Sequence, residues 1–255
     1  MQESSEFWKK HGYEVVLTSD QSPTLRWLDS ETQETMHHRG GAYSETQQIY
    51  GNPLRETLQA GGRSAVSVGL GLGYNEILVA CEALKNAIAP TDFRLLSFES
   101  EVFLQNHFLN WLETLHSDLV YDEIFAFFQA ERDCPDSLKV KEWLNRARLS
   151  QSWDLQEALT ERFSISSQYE CIFYDAFSSK TSPHLWDEKF LTSFFTQVAD
   201  PQCLVSTYAC TGALKRALKA SHFEVILREG FQSKRNSTLG RRGFSTPVAS
   251  EPACQ

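Results

Sequence analysis

No apolar run in this chain approaches the roughly 20 residues that cross a bilayer, so no membrane segment is expected. The opening Met1-Gln2-Glu3-Ser4-Ser5-Glu6 is acidic and has no apolar signal core, and we expect an unsecreted, cytoplasmic protein. The six cysteines, at 81, 134, 171, 203, 210 and 254, contain no CxxC pair. No HxxxH or HExxH spacing occurs among the histidines either, so no metal site is expected and the cysteines are read as reduced thiols, mostly core fillers. His37 and His38 are adjacent, and on a strand they face opposite sides. Internal repeats and long low-complexity linkers are also missing. So is excess positive charge: the net charge of −9 argues against a generic nucleic-acid coat.

What is present points to a folded enzyme-sized domain. Hydrophobic residues make up 41% of the 255, with 17 Phe and 6 Trp, enough for a sizeable core and against disorder. Charge is unevenly spread: residues 212–243 hold eight Lys or Arg against two acids. That segment is either a solvated helix face with a basic tail or a local phosphate-binding patch. Short strand-like pieces at 13–18 and 25–28 suggest a small β-rich N-terminal extension over 1–45. Asn52-Pro53 is expected to open a helix that Gly61-Gly62 ends. Strand and helix then alternate. Strands are expected at 64–70, 93–98, 169–174, 203–208, 223–227 and 237–240. Helices are expected at 75–89, 101–115, 186–198 and 212–220, with two helices and a short strand in 118–150. This pattern implies an α/β domain over 46–243, a mostly parallel sheet covered on both faces, with a loose tail at 244–255. Ligands then gather at the carboxyl ends of the first strands, where strand order reverses.

Four places carry residues suited to chemistry. Gly69-Leu70-Gly71-Leu72-Gly73 directly follows the first strand of the alternation. Glycine there permits a sharp turn and a close backbone approach to a ligand, although a plain tight turn gives the same pattern. The spacing is GxGxG, not the GxGxxG of dinucleotide binders, which disfavours a nicotinamide oxidoreductase. Glu99 ends the second strand, where an acid can accept both ribose hydroxyls of an adenosine. Asp154 sits at what reads as a strand-to-helix junction, where it makes a good N-cap. Asp175 follows the buried run Ile172-Phe173-Tyr174, and a carboxylate at that sheet edge points into the ligand crevice.

The order of these pieces resembles the MnmC-type tRNA-modifying methyltransferases. The resemblance rests on Gly41-Ala42-Tyr43-Ser44-Glu45-Thr46, on Gly69-Leu70-Gly71-Leu72-Gly73-Tyr74-Asn75 and on Leu96-Ser97-Phe98-Glu99. It continues through Tyr174-Asp175-Ala176-Phe177, Pro183, Leu185-Trp186, Thr207-Tyr208-Ala209, Gly230-Phe231 and Lys234-Arg235. It implies a Rossmann-like class I fold and S-adenosylmethionine as cofactor, with tRNA as partner. It also implies methylation of the primary amine of 5-aminomethyluridine, often 2-thiolated, at the wobble position. By the same likeness Gly69, Gly71, Gly73 and Asn75 would cradle the methionine part, Glu99 the ribose and Asp154 the adenine. Asp175 would orient the target amine, and Lys180, Lys234 and Arg235 would meet the substrate. No flavin is expected, since the 255 residues leave no room for the oxidase domain that larger family members carry. The sequence departs from the family at Ser178-Ser179-Lys180-Thr181-Ser182, beside the expected substrate position. That departure leaves another RNA site, another small amine, or a silent cofactor- or RNA-binding scaffold as alternatives.

Overall fold

The computed structural model of the protein describes residues 2–29, 34–114, 118–130, 134–232 and 236–244. The chain opens with helix α1 (Gln2–Lys10), followed by an antiparallel hairpin of β1 (Tyr13–Leu17) and β2 (Pro23–Trp27). The sequence signals the two strands but not the helix, because only Phe7 and Trp8 in it are large and apolar. Tertiary contact holds α1 instead: Trp8 is buried and its ring meets Phe103 and His107 edge-on.

The hairpin turn caps the next helix, α2 (Ala42–Thr46). Ser22 Oγ accepts the N–H of Ala42 at 2.9 Å and of Tyr43 at 3.0 Å, and Asp20 Oδ2 accepts that of Ser44 at 3.1 Å. These are first-turn donors that have no partner within a helix. Burial raises the Asp20 pKa, but hydrogen bonds from Ser22, Ser44 and Thr18 outweigh it and bring it down to about 2. A Cβ on Gly41 would lie 2.2 Å from Asp20 Oδ2, so this docking requires glycine.

From α2 the helix passes through a π turn, Gln47–Gly51, into α3 (Asn52–Gln59). The expected start at Asn52-Pro53 is therefore corrected to Ala42. Pro53 lacks the N–H that would bond Ile49 O, and a wider turn relieves its ring clash with that carbonyl. Ile49 O is satisfied from outside, by Ser206 Oγ and by Arg228 Nη1 at 3.3 Å.

The main sheet comes next: β3 (Ser64–Val68), α4 (Tyr74–Lys85), β4 (Arg94–Phe98), α5 (Val102–Glu113), α6 (Leu119–Gln129) and α7 (Ser137–Leu149). Then come β5 (Trp153–Gln156), β6 (Tyr169–Tyr174), α8 (Glu188–Val198), β7 (Ala199–Thr207), α9 (Gly212–Ala220), β8 (Glu224–Glu229) and β9 (Asn236–Arg242). Strand order is β5-β4-β3-β6-β7-β9-β8, with β9 antiparallel to both neighbours and the other pairings parallel. Order reverses between β3 and β6, which places the crevice at their carboxyl ends.

The period-2 pattern of the strands builds two cores. In β6, Cys171 and Phe173 face the side covered by α3, α4, α5 and α7, while Ile172 and Tyr174 face α8 and α9. A ladder of Phe190, Phe194 and Phe195 fills the second side. Truncating a ring such as Phe194 to alanine would cost about 3–5 kcal/mol. Cys81, Cys171 and Cys203 are buried free thiols. Among the described residues no helix is long and apolar enough to cross a membrane.

One buried acid sits under the first crossover. Glu76 of α4 is fully buried, and its Oε1 accepts Ser97 Oγ–H at 2.8 Å while Trp153 Nε1–H donates to the same Ser97 Oγ at 3.1 Å. Burial pushes its pKa up from 4.5 to about 7. Between those values the folded state holds a proton that the unfolded state releases, so rising pH favours unfolding. The Glu76 contribution is complete below about pH 4.5 and lost by about pH 7. Denaturant titrations should show wild type losing on the order of 3 kcal/mol relative to Glu76→Gln between pH 4.5 and pH 8. Parallel profiles for the two proteins would contradict this.

Candidate active site

A cavity of about 660 Å³ opens at the carboxyl ends of β3, β4 and β6. Gly69, Gly71, Asn75, Glu99 and Asp175, read from the sequence as site residues, all line it. Gly73 stands beside it as the left-handed cap of α4, with φ 72°. The loop is built by its own backbone: Gly69 and Leu70 N–H donate to Phe98 O at 3.0 and 3.1 Å, and Gly73 N–H donates to Leu70 O at 2.7 Å. At Gly69, φ 99°, a Cβ would lie 2.8 Å from Asp175 O; at Gly73 it would lie 2.1 Å from Phe108 Cε2. Glycine thus lets the loop pass between β6 and α5.

Glu99 clamps this loop. Its Oε2 accepts Gly71 N–H at 2.8 Å and its Oε1 accepts Glu101 N–H at 2.9 Å. Burial raises its pKa, against the lowering effect of those backbone donors. Asp175 emerges after β6, its N–H donating to Val68 O at 3.0 Å. Its Oδ1 accepts Tyr50 O–H at 2.5 Å and its Oδ2 accepts Asn75 Nδ2–H at 3.1 Å. Asn75 is 3% exposed, and its Oδ1 is buried with no hydrogen-bond partner.

The remaining expectations fare differently. Asp154 is not at a strand-to-helix junction. Residues 153–156 stay extended because they pair in parallel with β4, Leu96 opposite Asp154. Alternation then turns Trp153 inward and Asp154 to solvent, where it accepts Gln156 Nε2–H at 2.7 Å, away from the cavity. The lining at that strand end comes from Ala158 and Leu159. Lys180 is exposed and outside the lining. Lys234 and Arg235 lie outside the described residues.

Arg228, Arg241 and Arg242 of the basic segment have structural partners. Arg228 Nη2 donates to Ser206 Oγ at 2.8 Å, and burial lowers its pKa. Arg241 is buried on Glu56, and Arg242 caps Ala199 and Asp200 carbonyls and lies over Phe223 at 4.7 Å. Arg216 pairs with Glu188 at 2.7 Å.

Sequence reasoning missed one whole wall. Residues 34–39 bend across the cavity, so His37 and His38 both line it although they are adjacent. Glu34 ties this strap to the 178–182 loop, accepting Ser178 Oγ–H at 2.7 Å and Thr181 Oγ1–H at 2.8 Å. His37 Nδ1 sits 2.9 Å from Thr24 Oγ1, and His38 N–H donates to Glu45 Oε2 at 2.7 Å. Tyr208, named only through the resemblance, lines the cavity with its hydroxyl donating to Ala176 O at 2.8 Å. Tyr50 is 125 positions from Asp175 and no local signal marks it.

The chemistry of the donors fits S-adenosylmethionine. The Asn75 oxygen lacks the donor that an amino group supplies, and a buried acceptor left unmade is costly. A Cβ at Gly71 would meet only Met36 Sδ, at 3.2 Å, leaving backbone open to the ligand. The α4 N-terminus favours the methionine carboxylate. Glu99 stands where ribose hydroxyls would lie, beside Phe98 and Leu159.

Comparison with known proteins agrees. Residues 140–243 match the model of the S-adenosyl-L-methionine-dependent methyltransferase family. A protein of Methanocaldococcus jannaschii with no described function is 27% identical over 237 residues, 90% of this chain and 60% of that one. The tRNA 5-methylaminomethyl-2-thiouridine biosynthesis bifunctional protein MnmC of Pseudomonas fluorescens is 24% identical over 206 residues. That stretch is 76% of this chain and 30% of that protein, so this chain spans only part of the curated relatives it matches. The crystal structure of MNMC2 from Aquifex aeolicus shares the fold, with a TM-score of 0.62 at 21% identity over 94% of this chain and 73% of that one. The fold and glycine loop are Rossmann-like, and residues 140–243 resemble the S-adenosyl-L-methionine-dependent methyltransferase class. Within that class, the similarity is to the MnmC-type methyltransferase domain.

Replacing Asn75 with Ala should weaken S-adenosylmethionine binding by about tenfold, the worth of one hydrogen bond at a buried group. Glu99→Ala, which frees Gly71 N–H, should weaken it at least as much. Isothermal calorimetry measures both, and wild-type affinity in the two variants would remove this loop from the cofactor site.

Proposed function

We propose that this protein methylates the primary amine of 5-aminomethyluridine, often 2-thiolated, at the wobble position of tRNA. The observation that carries the reading is Asp175, a carboxylate fixed at the end of the central strand, on the wall of the cavity that the glycine loop also lines. The name of the Pseudomonas fluorescens relative supports the substrate class. So does the lining, where Glu34, Glu45, Glu99 and Asp175 favour a substrate that arrives as an ammonium ion.

When bound, S-adenosylmethionine would supply an electrophilic methyl group, with its sulfur as the leaving group, to a neutral amine. Asp175 accepts an amine N–H, which aims the nitrogen lone pair and offsets the positive charge growing there. The arriving ammonium first passes one proton to water by way of this carboxylate, which frees the lone pair, and the product leaves as the methylated ammonium ion. Exposed Arg39 on the cavity rim, with Lys180, Lys234 and Arg235, is assigned to the RNA backbone.

A second reading, a smaller free amine as substrate, is favoured by the Glu34 tie to Ser178 and Thr181, which closes one side of the cavity. Activity on the free nucleoside equal to that on tRNA would select it. For the main reading, single-turnover methylation of aminomethyluridine-containing tRNA is compared in wild type and Asp175→Asn. The amide is nearly isosteric: its oxygen can keep the Asn75 Nδ2–H bond and its NH2 can donate to the Tyr50 hydroxyl oxygen. Fold and cofactor affinity should persist while the rate falls about a hundredfold or more. Equal rates would remove Asp175 from the reaction.

A further inference from the structure

We propose that Tyr50, carried on the π turn, is the positioning residue that fixes the Asp175 carboxylate for amine binding. The inference rests on the role of Asp175 in holding the amine.

Tyr50 is 1% exposed, and its hydroxyl donates to Asp175 Oδ1 at 2.5 Å. Its ring packs edge-on against Phe173 of β6, two residues before Asp175, with centroids 5.5 Å apart. Burial, followed by the nearby Asp175 charge, pushes the phenol pKa well above its usual value. Tyr50 is therefore a permanent donor. Asn75 Nδ2–H serves the other oxygen at 3.1 Å, so two donors on opposite oxygens fix the carboxylate plane. A carboxylate accepts about four hydrogen bonds, which leaves capacity for an amine.

The π turn sets the direction of Tyr50. A turn with one extra residue rotates the downstream residues relative to an unbroken helix. It is pinned through the carbonyl of Ile49, one residue before Tyr50, by Ser206 Oγ of β7 and by Arg228 of β8. Arg228 also donates to Ser206 Oγ at 2.8 Å, so three elements converge on this one turn. That convergence accounts for an arginine half-buried against the sheet. The charged or titratable groups facing the pair are Glu45 of α2, Tyr208 after β7 and Arg228 of β8. The Tyr208 hydroxyl serves Ala176 O, and the Arg228 guanidinium serves Ile49 O, Ser206 and Thr238 O.

The test uses Tyr50→Phe, which keeps the ring. Carbon-13 NMR follows the Asp175 carboxyl, assigned by its loss in Asp175→Asn. Without the Tyr50 donor the titration midpoint should rise by about one pH unit, since a hydrogen bond to the charged form is lost. An unmoved midpoint overturns the proposal. In single-turnover methylation, Tyr50→Phe should slow the step about tenfold with cofactor Kd unchanged within about twofold. In the Asp175→Asn background the same change should add less than about twofold, because the two act as one unit. Multiplying losses overturn it. Ser206→Ala, which loosens the π turn without touching Asp175, should give a smaller loss in the same direction, and it serves as the test if Tyr50→Phe does not fold. If the carboxyl titration moves but wild type leaves aminomethyluridine tRNA unmethylated, the amine reading fails and the hold of Tyr50 on Asp175 stands.

Discussion

The site depends on one buried polar contact: the carboxylate at the end of β6, held by a phenol on one oxygen and an amide on the other. Each donor arrives from a different element. Asn75 comes from the first turn of α4, which exists where it does because the glycine loop turns sharply after β3. Tyr50 comes from a helix that starts at Ala42, widens at the π turn and continues to Gln59. An acid in this position without donors would carry an uncompensated desolvation cost. Strand, loop and helix are thus tied together through a single side chain.

The N-terminal elements have a clear structural task. The hairpin turn caps α2 through Ser22 and Asp20, and α2 leads directly into the Tyr50 turn. The strap after the hairpin forms a cavity wall and is tied to the 178–182 loop by Glu34. What reads in sequence as an extension is a part of the cavity itself. The divergent Ser178 and Thr181 are the residues that make the tie, which gives the departure from the family pattern a physical role.

The strand–helix alternation was legible because buried parallel strands such as 169–174 are short apolar runs bounded by polar turns. Gly69, Gly71, Glu99 and Asp175 were legible because they sit at strand ends, where position alone implies a role. The failures have physical causes. Asp154 looked like a cap, but pairing with β4 kept its segment extended. The helix start at Ala42 was hidden because its caps come from Asp20 and Ser22, a hairpin away in sequence. Arg228, Arg241 and Arg242 counted as surface charge until the sheet packed them, Arg241 buried and the other two half-buried, against carbonyls and Glu56. Tyr50 could not be read at all, because its partner is 125 residues away and its direction comes from an irregular turn.

The central claim is that the cavity brings an aminomethyl nitrogen to the cofactor against Asp175. The most direct measurement is mass spectrometry of wobble-uridine nucleosides in tRNA from cells lacking this gene, beside cells carrying it. The account expects 5-aminomethyluridine to accumulate without the gene and its N-methylated form to return with it. An unchanged methylated nucleoside in the deleted strain would contradict the account.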